Sequence, residues 1–111
     1  MKIVLLTVMI FLSTTVFPAE AAKYKITNAT GVDIYELYVS PTHQERWSQN
    51  LMMGRILKNT QSCYVTWNPV GTYFWDMYVK DSADNRMEWI KFNVKEIHNI
   101  YLETDHLSGS K

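Results

Sequence analysis

The stretch Val32–Met53, VDIYELYVSPTHQERWSQNLMM, decides the class of fold. It opens with β-branched and aromatic residues, the composition of a strand packed on one face. Pro41, directly after Ser40, has no N–H to give to a ladder, so the strand closes there and the chain turns out of the sheet. The polar segment that follows runs to Trp47 and the apolar trio Leu51, Met52 and Met53. Trp47 and Leu51 are expected to return the chain to the core, and Ser48–Met53 has room for one short helical turn ended by Gly54.

Within the strand the apolar phase changes: Val32 and Ile34 share one parity, Leu37 and Val39 the other. Side chains alternate with period two, so both sets reach one core only if a bulge or sharp twist intervenes near Tyr35-Glu36, or if the strand is covered on both faces.

Outward from this stretch the pattern repeats. Lys23–Thr27 alternates with Tyr24 and Ile26 on one side, and Asn28-Ala29-Thr30-Gly31 is a turn by composition. The turn also matches the glycosylation pattern, which carries little weight because turn chemistry already explains it. Arg55-Ile56-Leu57 reads as a short strand or connection.

Ser62–Trp67 and Tyr73–Lys80 are the clearest strands, separated by the turn-rich segment Asn68–Thr72. Paired as a hairpin with Trp67 opposite Tyr73, they set Cys63 against Met77 and Val65 against Trp75, one continuous apolar side. Asp81–Asn85 makes a second hairpin turn, and Arg86–Lys91 returns with Met87 and Trp89 in phase. Phe92–His98 suits an irregular crossing, Asn99–Glu103 a last strand burying Ile100 and Leu102, and the polar end a frayed tail.

Six or seven short strands without a useful amphipathic helix predict an all-β fold. A β-sandwich or a partly open barrel would satisfy this pattern, and the expected form is a small antiparallel β-sandwich with Ig-like or C2-like layering. The first residues carry Lys2, the apolar run Ile3–Leu12 and small residues at Ala19, Ala21 and Ala22, the layout of a signal peptide cleaved after Ala21 or Ala22. The apolar run is shorter than the roughly 20 residues of a membrane span. The expected organisation is therefore a signal peptide over 1–22, one domain over 23–104 and a flexible tail over 105–111. A secreted or periplasmic protein with no membrane span after cleavage follows.

Composition narrows the partners. The chain has 11 basic and 11 acidic residues, and removing Lys2 and Glu20 leaves the mature part neutral. A neutral surface argues against nucleic acid, which needs a concentrated basic face. Cys63 is the only cysteine. It cannot form an internal bridge, and its phase with Val65 and Trp67 suits a buried thiol better than an intermolecular disulfide.

Several motifs occur in order: LYVSPT at Leu37–Thr42, RWSQNLM at Arg46–Met52, CYVTW at Cys63–Trp67, WDMYVKDSADN at Trp75–Asn85, then Trp89 and the closing IYLE. In this succession the chain resembles a family of small secreted bacterial β-sandwich domains without an assigned activity. The resemblance implies a sandwich fold and transfers no catalytic residue. Some such domains carry cysteines where this chain has Tyr73-Phe74 and Phe92-Asn93, so no disulfide is implied here.

Chemistry is sparse. His43, His98 and His106 lack metal-site spacing, and Ser40, Thr42 and His43 lack the glycine-framed elbow of a nucleophile. Asp81, Asp84 and Asn85, with Asp33 or Asp76, are oxygen ligands that calcium would accept, but acidic hairpin turns arise for backbone reasons as well. Neither an enzyme nor a cofactor is expected.

In the hairpin register Tyr64, Phe74 and Tyr78 share the outward side, with Asp76 among them and Ile90 following, so that they form one patch. The alternatives are that the Pro41–Met53 loop covers this side or that the phase is inverted. The resulting expectation is a non-catalytic interaction module that binds a protein partner or forms a homodimer through Trp47, Tyr64, Phe74, Asp76 and Tyr78. A glycan-binding module is the alternative, with rings stacking on sugars and Asp76 accepting hydroxyl bonds. A calcium-binding domain or an unrecognised hydrolase ranks below both.

Overall fold

The computed structural model describes residues 21–111. The expected signal peptide thus lies outside the described residues except for Ala21 and Ala22. The described residues form an all-β sandwich of seven strands and no helix: β1 (Ala22–Ala29), β2 (Glu36–Pro41), β3 (Ser62–Trp67), β4 (Phe74–Lys80), β5 (Arg86–Asn93), β6 (Asn99–Glu103) and β7 (His106–Ser110). One sheet has the order β3-β1-β6-β7, the other β2-β4-β5. Neighbouring strands run antiparallel except β1 and β6, which pair in parallel.

Alternation builds the core from both layers. Tyr24, Ile26, Val65, Trp67, Ile100 and Leu102 face inward from one sheet, and Leu37, Val39, Trp75, Met77, Val79 and Trp89 from the other. Burying apolar surface at about 25 cal/mol per Å² is the main force holding the layers together. Aromatic contacts join it: the Tyr24 and Trp67 rings stack at 4.0 Å, and Trp67 meets Trp75 at 6.0 Å.

That last contact corrects the expected hairpin. β3 pairs with β1, Val65 opposite Tyr24, while β4 pairs with β2 and β5. The segment after Trp67 is an arch that carries the chain from one sheet to the other. A hairpin and an arch both leave Val65, Trp67, Trp75 and Met77 facing the core, so the apolar phase alone does not distinguish them.

The phase change in the opening stretch is real. Ile34 forms an isolated bridge with Leu57, and the chain then breaks at Tyr35 before β2 begins. Ile34 and Leu37, three positions apart, both end fully buried. A second break of the same kind lies in β5. The register shifts opposite Asp76, Lys91 has φ of 60°, and the extra residue lets Trp89 and Phe92 both face inward. Phe92 and Asn93 therefore belong to β5 rather than to an irregular crossing. The segment expected to fray pairs as β7 with β6, Leu107 opposite Leu102.

The loop after Pro41 lies along the free edge of β2 instead of forming a helix. Ser48 N–H donates to Val39 O, and Val39 N–H donates to Ser48 Oγ. Leu51 N–H donates to Leu37 O, and Leu37 N–H donates to Asn50 Oδ1. Side-chain oxygens thus stand in for a neighbouring strand and close an edge that would otherwise invite pairing. Leu51 and Met52 anchor the loop in the core, whereas Met53, at φ of 51°, is 71% exposed. Arg55 fastens the loop's far end: its guanidinium donates to the carbonyls of Leu51, Met52 and Tyr64, the last on β3.

Candidate functional site

The outward side of the three-stranded sheet carries the densest group of solvent-reaching rings. Because Trp75, Met77 and Val79 point inward, β4 turns Phe74, Asp76 and Tyr78 outward. The register sets Tyr38 opposite Tyr78, and their rings stack at 4.6 Å. Trp47 meets Tyr78 edge-on at 4.7 Å. From β5 the Arg86 guanidinium lies 3.7 Å from the Tyr78 ring centroid and 5.6 Å from that of Trp47. Tyr78 is thus flanked by Tyr38 from one neighbouring strand and by Arg86 from the other.

Charge borders the rings. Arg86 pairs with Glu88 at 3.3 Å, an exposed bridge of small energetic value. The Tyr38 hydroxyl donates to Glu36 Oε1 at 2.5 Å. That bond, reinforced by desolvation and the charge of Glu36, pushes the phenol up to about 12.

Asp76 has a different role from the one expected. It is 5% exposed, its Oδ1 accepts the Lys91 N–H at 2.8 Å, and its Oδ2 accepts the His43 N–H at 3.0 Å. One carboxylate therefore fixes both the β5 bulge and the start of the edge-covering loop. It positions the face.

Of the other expected residues, Phe74 is 43% exposed, with Lys91 Nζ 6.0 Å from its ring. Tyr64 does not join the patch. It lies outward on β3 in the opposite sheet, exposed and beneath Lys23 Nζ at 4.6 Å. Trp47, expected to re-enter the core, is half-buried against the outer face. The structure thus brings Trp47, Phe74, Asp76 and Tyr78 to one face and removes Tyr64.

Tyr38 and Arg86 join this face in addition to the residues expected there. Tyr38 was legible in principle, since the burial of Leu37 and Val39 forces it outward. Arg86 carried no signal beyond opening a strand.

A depression of ≈ 340 Å³ lies beside the rings, between the loop residues His43, Glu45 and Trp47 and the strand residues Asp76, Arg86, Glu88 and Ile90. A larger hollow of ≈ 470 Å³ separates β5 from the β6–β7 turn, away from the stacked rings. The first has the more selective chemistry, an indole wall with charged side chains at its rim.

Ser40, Asp76 and Asp81, each considered for catalysis or ligation, are otherwise engaged. Ser40 Oγ is buried, donating to Pro41 O and accepting from Arg46 N–H. Asp81 caps its own turn by accepting from the backbone of Ala83 and Asn85 and the Asn85 side chain, and these bonds hold its carboxyl below the usual range. Among the described residues no three His, Cys, Asp or Glu side chains are grouped to hold a metal. Asn28 is fully buried, its amide donating to Val32 O and Leu57 O, which leaves no room for a glycan. Cys63 is a half-buried free thiol.

Comparison of the chain with models of known protein families, with curated proteins and with solved structures finds no match.

Proposed function

We propose that the protein is a secreted or periplasmic, non-catalytic interaction module that binds a protein partner through the β2-β4-β5 face. Export rests on the N-terminal layout of residues 1–22. The observation that carries the binding reading is the packing of Tyr78. Its ring lies against Tyr38 and Arg86 and meets Trp47 at near-perpendicular planes, so it forms a preorganised platform of aromatic and guanidinium groups. Such groups are enriched at protein contacts, where large rigid side chains bury area at little entropic cost. Exposed apolar groups extend the platform at Phe74 and Ile90, the latter 57% exposed.

A glycan site is the second reading, favoured by Trp47 beside Glu45 and His43 in the ≈ 340 Å³ depression. It ranks lower because Tyr78 already has neighbours on both sides, and because both Asp76 oxygens already accept backbone N–H groups.

Site-specific photo-crosslinking in the producing cell tests the proposal. A photoreactive residue at Phe74 or Ile90 should yield protein adducts well above those from Tyr64 or Tyr101 on the opposite sheet. Equal yields, or adducts confined to Tyr64 and Tyr101, would overturn it.

A further inference from the structure

The outer face of the β2-β4-β5 sheet carries both signs of charge in separate places. Glu45 borders the depression, and Lys91 reaches over Phe74 near the other end of β4. Among the described residues neither takes part in an ion pair. Phe74 and Ile90 expose apolar surface on the same face. A partner of one charge sign would satisfy one of these ionic groups and repel the other.

We infer that the occupant of this face is a second copy of the chain, related by a two-fold axis. Lys91 of each protomer reaches the Glu45 side of the depression in its mate. The inference rests on the proposed function of the face and names its partner. A two-fold interface brings one patch against itself, so a patch with an unpaired carboxylate and an unpaired ammonium makes the same bridge twice. Phe74 and Ile90 of the two copies would then lose water between the two bridges.

The size of the face sets the strength. β4 has seven residues, so at about 3.3 Å per residue and about 4.8 Å per strand the three-stranded face spans roughly 330 Å². That is below the roughly 800 Å² per partner of a standard interface, and the loop adds only one flank. The dimer is therefore weak and exchanging, and its ionic part weakens with salt.

Sedimentation equilibrium of the protein purified as the cell exports it, from roughly 10 µM to 1 mM, tests this across the range where a small interface dissociates. Reversible dimerisation is expected, with Glu45→Lys or Lys91→Glu alone weakening it about tenfold or more. Mixing the two single variants, or combining both changes in one chain, should restore association, which also excludes misfolding as the cause of the loss. A monomer at the highest concentration, or a dimer indifferent to both charge reversals, overturns the inference. If the monomer still crosslinks to other proteins at Ile90, the face retains its proposed function and only self-association is lost.

Discussion

Asp76 and Lys91 face each other at the point where the β4–β5 register slips, and the carboxylate of the first accepts the backbone N–H of the second at 2.8 Å. The same carboxylate holds His43 N–H. Removing it leaves two backbone donors without their acceptor, and a hydrogen bond to a charged group is worth about 1.5–3 kcal/mol. With two such bonds lost, Asp76→Ala should cost about 3 kcal/mol or more in urea unfolding. Asp76→Asn should cost less, since it keeps one oxygen. An Ala variant within about 0.5 kcal/mol of the parent would show that the bulge stands without this support.

The covered edge of β2 makes a second, more local prediction. Asn50 Oδ1 accepts from both Leu37 N–H and Met52 N–H, whereas Ser48 serves Val39. Asn50→Ala should destabilise by about 1–2 kcal/mol and speed hydrogen exchange at Leu37 more than at Val39. Ser48→Ala should reverse that order. Unchanged protection at Leu37 in the Asn50 variant would mean the loop does not close the edge.

Tyr38 supplies a pH signature. Its folded value is raised to about 12, first by the hydrogen bond to Glu36, from an ordinary value of 10.0. A raised value means the bond contributes fully below pH about 10 and is lost as pH rises through about 12. Burial pushes Tyr24 up as well, so ultraviolet tyrosinate titration should show Tyr38 among the late-ionising phenols, and only the Tyr38 step should move toward 10 in Glu36→Gln. Identical titration curves for the two proteins would dismiss the bond.

Cys63 should behave as a hindered thiol. Burial pushes it up, outweighing the opposing charge of Arg55. At pH 8 a disulfide reagent should modify the folded protein slowly and the urea-unfolded protein quickly, because only the thiolate attacks. Equal rates would place the sulfur at the surface.

Much of this architecture is legible in the residues, and the failures share a cause. Alternation placed Tyr24, Ile26, Val65, Trp75, Met77 and Trp89 on the core side, and the parity conflict between Ile34 and Leu37 located a break that the structure contains. Alternation says which way a side chain faces, not which strand lies beside it, so it fixes neither the pairing of β3 with β1 nor the sheet from which Tyr64 points outward. The parity conflict between Trp89 and Phe92 carries the same information as the first and marks the bulge opposite Asp76. β7 left no trace because HLSGS has little apolar pattern, and its pairing to β6 is a backbone ladder. Trp47 lies against the outer face and not in the core because a large aromatic residue signals burial without saying whether the surface it covers is inside or outside the sheet.

The placement of Tyr78 is what the functional account stands on, and proton NMR reads it directly. Nuclear Overhauser contacts from the Tyr78 ring should reach the Tyr38 ring, the Trp47 indole and the Arg86 side chain, with Val65 contacting Tyr24 across the β1–β3 ladder. Contacts from Tyr64 to Phe74 or Tyr78, as a β3–β4 hairpin requires, would contradict both the sandwich described here and the face assigned to binding.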